Sequence, residues 1–541
     1  MDTFDSLVDV QSGEYARNRT EMLGLVDRLH RLRDRPRRLS ERRREVFQKR
    51  GQLLPRERIA RLLDPGLPFL ELFGLANYLV DDPDRDKSIP GASTLAGIGF
   101  VSGVRCMIYA YDSGINAGAS TAKSGEKLRR CLDMARLLKL PFLQLVESAG
   151  ANLMKYNVAA WAWGGGGFRR LAQLSAAGVP VLTILHGPST AGGAYYPGLS
   201  DYVIAVRGRG RASLGGAALV RAATGEIADE EELAGAVMHA EVSGLVEYLA
   251  DDDAHAITLL RGLVEQLDWN RHCAPEQPAG DYRPPRYSPD ELAGVVPIDY
   301  RKAYDVREVL VRLTDDSCFS EFKSRYGPTV VCTHARIMGR ACGIVGNNGP
   351  IDPNGAAKAA QFLQSCDQAQ LPVIFLNNIT GYMVGREYEQ GGMVKHGSKM
   401  IQAVANIRVP KITLYIGASF GAGNYGMAGL GYDPDFLFAW PNARTGVMGG
   451  EQAALTMEQV TRQAAARRGQ AVDEQLLAKQ KADLIAHYEA QEDAFYTSGQ
   501  MLDMGVIDPR DSRRVLGFAL ETCAEARRRT VQANSFGVAR M

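Results

Sequence analysis

The sequence predicts an α/β protein built from two tandem copies of one unit. Three observations support this prediction: the length of the chain, an alternation of helical and buried-strand patterns, and a repeat at nearly constant spacing. The 541 residues exceed what one hydrophobic core usually organises, so at least two domains are expected. The composition, 45% hydrophobic and 23% charged, is that of an ordinary globular protein rather than a disordered one.

The clearest helix–strand pattern of the first half lies in residues 125–150. Apolar residues recur at helical spacing, Pro141 ends the pattern, and the letters FLQLV that follow indicate a buried strand. Residues 356–381 repeat this arrangement, with Pro372 in the place of Pro141 and VIFL as the strand. The two prolines are 231 residues apart, and the alternation of helix and strand favours largely parallel sheets.

Three further landmarks repeat at almost the same spacing. One landmark is a helical pattern followed by a Val-Pro pair and a strand, and the other two are glycine-rich segments. Each recurs 230 to 234 residues later. The pairs are Pro180 and Pro410, the loops GPSTAGGAYY at 187–196 and GASFGAGNYG at 417–426, and the glycine pairs Gly215-Gly216 and Gly449-Gly450. Four landmarks at one offset indicate a duplicated fold.

Residues 275–297 contain six prolines and are predicted to link the two copies. Such a stretch cannot hold regular secondary structure. We therefore predict an N-terminal domain at residues 1–280 and a C-terminal domain at residues 281–541.

The two glycine-rich loops are the candidate catalytic elements of the chain. Each follows a buried strand at the expected start of a helix, where backbone N–H groups have no intrahelical partner. Two such N–H groups aimed at one point form an oxyanion hole. The alternative is that Ala191-Gly192-Gly193 and Gly421-Ala422-Gly423 only permit tight packing of strand and helix. Their matching positions in a duplicated fold favour function.

Several other classes of function are disfavoured. The loops match neither phosphate-binding nor serine-hydrolase patterns, and the eight cysteines and eight histidines show no metal-ligand spacing. The net charge of +1 and the lack of a long apolar run predict binding to neither nucleic acid nor membrane. The start resembles no targeting signal, so a cytoplasmic location is expected.

Eleven basic residues in 28–50 alternate with acids, which favours a solvated helix packed on the domain or on a neighbouring subunit over a nucleic-acid arm.

The chain resembles the carboxyltransferase β subunits of biotin-dependent acyl-CoA carboxylases, in particular the methylcrotonyl-CoA and geranyl-CoA group. The resemblance runs over most of residues 45–525. It is carried by LLPRERIARLLDPGLPFLEL (53–72), TAGGAYYPGLSD (190–201), VSGLVEY (242–248), ARIMGRACGIVGNNG (335–349), FLNNITGYMVG (375–385) and the long stretch from VPKITLYIGASFGAGNYG to GVMGGEQAA (409–454).

This resemblance implies tandem crotonase-like (ClpP/crotonase) domains, a homohexamer, and carboxyl transfer between two bound groups. Acyl-CoA would bind the N-terminal domain, with the amides of Gly192 and Gly193 holding its thioester oxygen. Carboxybiotin would bind the C-terminal domain of a neighbour, with the amides of Ala422 and Gly423 holding its ureido oxygen. The residues that it implies for substrate are Ala149, Gly150, Ala151, Gly164, Gly165, Tyr195 and Tyr425, and those for biotin are Gly421, Gly449 and Gly450.

The resemblance also implies partners and cofactors. The chain has no AMKM biotin-acceptor sequence and no ATP-binding glycine loop, so biotin would be carried by a separate biotin carboxylase and biotin carboxyl carrier subunit in an α6β6 complex. Coenzyme A would enter as part of the substrate, and no metal is expected. Lys123, Lys127 and Lys358 are candidates for CoA phosphates, although a solvated lysine is the favoured interpretation of each.

One agreement with the methylcrotonyl group and two departures from the family pattern stand out. Tyr425 is typical of the methylcrotonyl group and argues against propionyl-CoA and acetyl-CoA. Residues 147–150 are ESAG where the family often has DSGG, a change expected to be tolerated. Gly164 to Gly167 replace a segment that usually carries a phenylalanine near the acyl pocket, which suggests a substrate as large as geranyl-CoA or larger. The alternative is a flexible glycine-rich loop without a role in selectivity.

Three other functions remain open from the sequence. A biotin-dependent decarboxylase subunit would run similar chemistry in reverse. A biotin-independent hydratase or isomerase of the crotonase type would need a pair of positioned acids. The sequence offers only one candidate, Glu147. A non-enzymatic CoA-binding scaffold would be expected to have damaged one of the glycine loops, and both are intact.

Overall fold

A computed structural model describes residues 2–150, 157–275 and 282–538. The predicted boundary near residue 280 and Ala151 lie outside these described residues. The strands are β1 (Asp2–Thr3), β2 (Leu70–Glu71), β3 (Thr94–Val101), β4 (Val104–Tyr111), β5 (Phe142–Ser148), β6 (Val181–Thr190), β7 (Tyr202–Val206), β8 (Arg211–Ser213), β9 (Tyr248–Ala250), β10 (Cys318–Glu321), β11 (Val330–Ile337), β12 (Arg340–Asn347), β13 (Val373–Ile379), β14 (Lys411–Phe420), β15 (Phe436–Ala439) and β16 (Arg444–Gly446).

The helices alternate with the strands in both halves. They are α1 (Gly13–Glu41), α2 (Arg44–Lys49), α3 (Pro55–Leu62), α4 (Ala122–Leu137), α5 (Val158–Ala176), α6 (Tyr195–Gly198), α7 (Ala217–Thr224), α8 (Glu230–Ala234), α9 (Ala236–Met238), α10 (Asp253–Gln266), α11 (Leu292–Val295), α12 (Val306–Leu313), α13 (Pro353–Gln368), α14 (Arg386–Gln390), α15 (Met393–Asn406), α16 (Gly421–Gly426), α17 (Gly450–Arg467), α18 (Glu474–Glu492), α19 (Ala494–Gly499) and α20 (Ser512–Arg528).

The chain divides into two compact α/β units. The first, here called the N-terminal unit, comprises Arg31–Glu276 together with Thr522–Met541. The second, the C-terminal unit, comprises Gln277–Glu521 together with Met1–His30. Each unit therefore contains one long central segment and one short segment from the opposite end of the chain.

The two sheets share the strand order of β2 to β8 and β10 to β16, and differ in one edge strand each, β9 and β1. In the N-terminal unit the strand order is β2-β3-β4-β5-β6-β7-β9, with β8 pairing with β6; in the C-terminal unit it is β1-β10-β11-β12-β13-β14-β15, with β16 pairing with β14. Each sheet has an antiparallel edge and a parallel remainder that starts at β4 or β12. The duplication predicted from the sequence is therefore confirmed at the level of strand pairing.

The two sheets are irregular at the same place. The register between β5 and β6 shifts between Val146 and Ser148, and the register between β13 and β14 shifts between Asn377 and Ile379. Both shifts occur where these central strands end, next to the glycine-rich segments. Irregular pairing at a sheet rim often aims the backbone toward a functional site.

Each unit has its own hydrophobic core between the sheet and its helices. Leu143, Ile184 and Leu260 are fully buried in the N-terminal unit, and Phe362 and Phe375 are fully buried in the C-terminal unit. Each such side chain contributes about 1.5–3 kcal/mol relative to an exposed one. These cores fix the central strands, and with them the turns at the strand ends.

One sequence-based alternative is wrong. Gly164 to Gly167 do not form a loop, because helix α5 begins at Val158 and includes all four glycines. The helix predicted from FRRLAQLSAAG is thus about three turns longer at its start. Within the described ranges, no helix combines the length and apolarity needed to cross a membrane.

Candidate active site

The first glycine turn follows the central strand β6. The strand ends at Thr190, and a single 3₁₀ turn over Ala191–Ala194 leads into α6. Ala191 has a φ of 53°, a left-handed conformation that turns the chain sharply and is strained for a residue with a side chain. Gly192 is exposed directly after this turn, where the first N–H groups of a helical segment have no intrahelical acceptor.

The second glycine turn repeats this geometry in the C-terminal unit. Strand β14 ends at Phe420, α16 starts at Gly421, and Gly421 has a φ of 54°. Ala422 is exposed, as Gly192 is. The left-handed residue and the exposed residue after it thus occur at matching positions, 230 residues apart.

Gly423 is required by a close approach between α16 and the end of β13. A Cβ atom on Gly423 would lie 2.6 Å from Cγ1 of Ile379 and 3.1 Å from Cα of Gly381. Both neighbours belong to the end of β13 and the segment that follows it. The second turn is therefore packed directly on the adjacent strand end, and no larger residue fits without movement.

In the N-terminal unit the segment after β5 lies beside the first turn. The N–H of Ala149 donates to the carbonyl of Ala117 at 3.0 Å, and the Ser148 hydroxyl donates to the carbonyl of Gly118 at 2.8 Å. Gly150 has a φ of 85°, and a Cβ there would lie 3.3 Å from Oγ1 of Thr190. Ala149 and Gly150 are thus held next to the first turn.

A group of aromatic side chains covers the first turn. The Phe168 ring lies 5.8 Å from that of Tyr195 and 5.3 Å from that of Tyr196, and the Tyr196 ring lies 6.1 Å from that of Tyr111. A Cβ on Gly192 would be 3.6 Å from Phe168. Tyr195 was predicted from the sequence, whereas Phe168 and Tyr196 were not, although the adjacent glycine run and the loop letters AYY indicate them.

Gly164 and Gly165 lie on helix α5, one turn before Phe168. A Cβ atom on either glycine would meet no atom within 4 Å, and neither glycine has a positive φ. Neither packing nor backbone conformation therefore requires glycine at these two positions.

The biotin residues implied by the resemblance lie around the second turn. A Cβ on Gly421 would be 3.1 Å from the carbonyl oxygen of Val447, which places the segment before α17 beside this turn. Gly449 caps α17, and a Cβ there would be 2.5 Å from the Tyr300 hydroxyl; Gly450 lies similarly close to helix α18. The Tyr425 side chain is about half exposed, like its repeat counterpart Tyr195.

A buried charge cluster, absent from the sequence analysis, lies behind the first turn. Arg58 donates to Glu147 at 2.6 Å and to Asp253 at 2.9 Å. The Nδ1 atom of His186 pairs with Asp253 at 2.7 Å, and Gln52 donates to both Glu147 and the carbonyl of His186. All of these side chains are buried, so the cluster connects the end of β5 and the middle of β6 to helices α3 and α10.

The surroundings of the cluster determine the protonation states of His186 and Asp253. Burial, and then the positive charge of Arg58, lowers the pKa of His186, so the imidazole is neutral near pH 7. Burial opposes ionisation of Asp253, but the hydrogen bond from His186 and the charge of Arg58 together hold its pKa well below the usual range. Glu147 is engaged by Arg58 and is not a free acid that could act on a substrate.

Two lysines considered for CoA phosphates are internal. Lys127 and Lys358 occupy matching positions of α4 and α13, and both side chains are fully buried. Lys127 donates to the carbonyls of Thr94 and Gly91, and Lys358 donates to that of Lys323. The expectation of solvated lysines is wrong for these two, while Lys123 pairs with Glu126 at 2.9 Å.

Burial lowers the pKa of Lys127 to about 8, which predicts a pH-dependent stability. The unfolded lysine binds its proton up to a pKa of about 10.4, so between these two values the unfolded state holds more protons than the folded one. Relative to Lys127→Met, the wild type should gain stability by at most about 1.4 kcal/mol per pH unit as the pH rises from about 8 to 10.4. Unfolding of both proteins at several pH values tests this, and a difference independent of pH would contradict it.

The chain belongs to the carboxyl transferase family, because the carboxyl transferase domain matches residues 47–538. The family resemblance and the tandem crotonase-like fold predicted from the sequence are thereby confirmed. Among the described residues, no group of three or more His, Cys, Asp or Glu side chains could hold a metal ion.

Within the carboxyl transferase family, the chain is similar to β subunits of acyl-CoA carboxylases. The β subunit of geranyl-CoA carboxylase from P. aeruginosa has a TM-score of 0.93 and 47% identity, with both chains fully covered. A probable biotin-dependent acyl-coenzyme A carboxylase beta2 subunit of Mycobacterium tuberculosis is 46% identical over 91% of each chain. A probable mitochondrial methylcrotonoyl-CoA carboxylase beta chain of Drosophila melanogaster is 40% identical over 99% of this chain and 95% of the relative.

Proposed function

We propose that this chain is the carboxyltransferase subunit of a biotin-dependent acyl-CoA carboxylase. It would transfer a carboxyl group from carboxybiotin to the acyl group of a coenzyme A thioester. The observation that carries the proposal is the pair of matching glycine turns, each with a left-handed residue followed by an exposed one at the end of a central parallel strand. The family of the chain and its similarity to acyl-CoA carboxylase β subunits support the same reaction.

The first turn is proposed to hold the thioester. The amides of Gly192 and Gly193 would donate to the thioester oxygen, on which negative charge develops as the acyl group loses a proton. The hydrogen bond from the Ser189 hydroxyl to the carbonyl of Gly193, at 2.8 Å, holds the turn in place from behind. Ala149 and Gly150 would line the acyl group from the adjacent strand end.

The second turn fits the ureido group of carboxybiotin. The amides of Ala422 and Gly423 lie at the start of α16, where Ala422 is exposed and Gly423 is packed against the end of β13. These amides would donate to the ureido oxygen and stabilise negative charge there. When bound, carboxybiotin supplies the carboxyl group and a nitrogen basic enough to accept the substrate proton.

This chemistry asks for no side-chain base, and the site offers none at Glu147. The carboxylate of Glu147 is buried and paired with Arg58 at 2.6 Å. A hydratase or isomerase of the crotonase type would need it free to exchange protons with the substrate. The buried pair therefore disfavours that alternative.

The proposed substrate is a branched unsaturated acyl-CoA, of the size of geranyl-CoA rather than methylcrotonyl-CoA alone. In such a substrate, charge passes through the conjugated system to the same thioester oxygen. The open space beside Gly164 and Gly165 lies next to Phe168, which contacts the first turn. A long acyl group leaving the turn past Phe168 would enter this space.

Gly165→Phe is expected to lower kcat/KM for geranyl-CoA by about tenfold or more, with a smaller effect on methylcrotonyl-CoA, because the ring fills the open space. Gly262→Phe on helix α10 is the matched control, since a Cβ there also meets no atom within 4 Å. Initial rates with both thioesters measure the effect. Equal losses for the two substrates would contradict the proposed path of the acyl chain.

The partners are part of the proposal. A biotin carboxylase and biotin carboxyl carrier subunit would supply carboxybiotin, and six copies of this chain would form the core of an α6β6 complex. The mass of the isolated chain and of its mixture with the partner, measured by light scattering, tests this assembly. A stable monomer that stays monomeric with the partner would contradict it.

The deciding experiment is ATP- and bicarbonate-dependent carboxylation by this chain with its biotinylated partner. Acetyl-, propionyl-, methylcrotonyl-, geranyl- and longer acyl-CoA esters are compared. Incorporation into the branched unsaturated esters is the expected result. A partner that carboxylates its own biotin while no ester gains a carboxyl group would overturn the proposal and favour a decarboxylase, which release of CO₂ from a carboxylated acyl-CoA would identify.

A further inference from the structure

One face of helix α5 extends from the first turn toward the start of the helix. Residues 161, 164, 165 and 168 are three, four and seven positions apart, so they lie on the same side of the helix. Phe168 at one end contacts the rings of Tyr195 and Tyr196. Gly164 and Gly165 follow, and Trp161 stands at the other end.

The middle of this face has a composition that its own packing does not explain. Glycine in a helix interior costs about 1 kcal/mol relative to alanine, and a Cβ at Gly164 or Gly165 would meet open space. The Trp161 side chain is 72% exposed, so the packing of this unit leaves the indole without a cover. Gly164 and Gly165 are thus two bare positions between two aromatic residues on one open face of the helix.

We propose that Trp161 is the far wall of the acyl site and sets the length of chain that the enzyme prefers. The inference rests on the proposed function. Seven residues of helix separate Trp161 from Phe168 by about 10 Å along the axis, which is comparable with the length of a geranyl chain. A chain whose thioester lies at Gly192 would pass Phe168, cross Gly164 and Gly165, and end against the indole. Short acyl groups do not reach it.

The same helix provides a matched control. Trp163 is 74% exposed, but it lies on the side of the helix that carries Gly166, Gly167 and Arg170. That side faces α4, because a Cβ on Gly167 would be 3.7 Å from Leu128 and Arg170 pairs with Asp133 at 2.7 Å. Trp163 is therefore as exposed as Trp161 but lies on a different face of the helix.

The kinetic test compares Trp161→Ala with Trp163→Ala in the complete complex. Trp161→Ala should lower kcat/KM for geranyl-CoA by about tenfold, mainly through KM, and leave methylcrotonyl-CoA within about twofold. Trp163→Ala should leave the ratio of the two substrates unchanged. A wild type that carboxylates these esters while Trp161→Ala keeps the wild-type ratio overturns this inference alone. A wild type inactive on every ester, with a competent partner, overturns the proposed function.

A binding test needs no turnover. The other two tryptophans, Trp269 and Trp440, are buried, so in Trp163→Phe the emission accessible to acrylamide comes from Trp161. Geranyl-CoA should reduce acrylamide quenching, and methylcrotonyl-CoA should not. Emission already shielded before ligand is added would overturn the inference, because it would show that a second copy of the chain covers Trp161. Quenching that geranyl-CoA leaves unchanged would overturn it as well.

Discussion

Gly423→Ala is expected to lower the rate of carboxyl transfer by about 10²- to 10³-fold, the effect typical of losing one oxyanion-hole donor. The new methyl group would lie 2.6 Å from Ile379 and 3.1 Å from the Cα of Gly381, so α16 or the facing strand end must move. The amides of Ala422 and Gly423 move with the helix. A displacement of about 1 Å is enough to reduce catalysis by such factors.

The measurement is kcat for several acyl-CoA esters with the biotinylated partner. Because the second turn is proposed to serve carboxybiotin, the loss should be the same for every ester, unlike the loss in Gly165→Phe. Gly431→Ala is the control, since a Cβ there meets no atom within 4 Å. A Gly423→Ala enzyme within about threefold of the wild type would contradict the role of this turn.

Arg58→Leu is expected to destabilise the N-terminal unit by about 3–5 kcal/mol, because it leaves Glu147 and Asp253 buried without their cation. Arg44→Leu is the control. Arg44 pairs with Glu57 at 2.7 Å, but both side chains are well exposed, so its loss should change the free energy of unfolding by about 0–1 kcal/mol.

Thermal unfolding of both variants, followed by limited proteolysis, measures the difference and assigns it to one unit. The wild type should also lose stability in acid, because the folded pKa values of His186 and Asp253 both lie below their unfolded ones. The His186 contribution is complete above about pH 6.5 and that of Asp253 above about pH 4, and each is lost as the pH falls through its folded pKa. Equal melting temperatures for Arg58→Leu and Arg44→Leu would show that the buried cluster adds no stability.

Much of the fold was predictable because it depends on patterns among residues that are close together in the sequence. The strands after Pro141, Pro180, Pro372 and Pro410 all occur where the apolar runs predicted them. Periodicity and proline act through neighbours in the chain, so they are visible without tertiary structure. For Gly164 to Gly167 a flexible loop was one of two alternatives, and it is wrong because the packing of α5 on α4 keeps the segment helical.

The buried groups of the site were not predictable in the same way. Glu147 was considered as a catalytic acid, yet its partner Arg58 lies 89 residues earlier in the chain. Its counterpart in the second repeat, Asn378, is neutral and accepts a hydrogen bond from the N–H of Ala418 at 2.9 Å. Sequence reports the presence of such groups, but their charge state and availability depend on partners brought together by folding.

The sequence alone determined that this protein is a duplicated α/β carboxyltransferase with two matching glycine turns, since repeats, periodicity and glycine-rich segments are local properties. Only the tertiary structure decided that Ala191 and Gly421 share a left-handed conformation, that Gly423 is required by the facing strand end, and that Gly164 and Gly165 border open space. These features depend on distances between segments remote in the chain. Such distances are set by how each sheet packs against its helices, which no local pattern specifies.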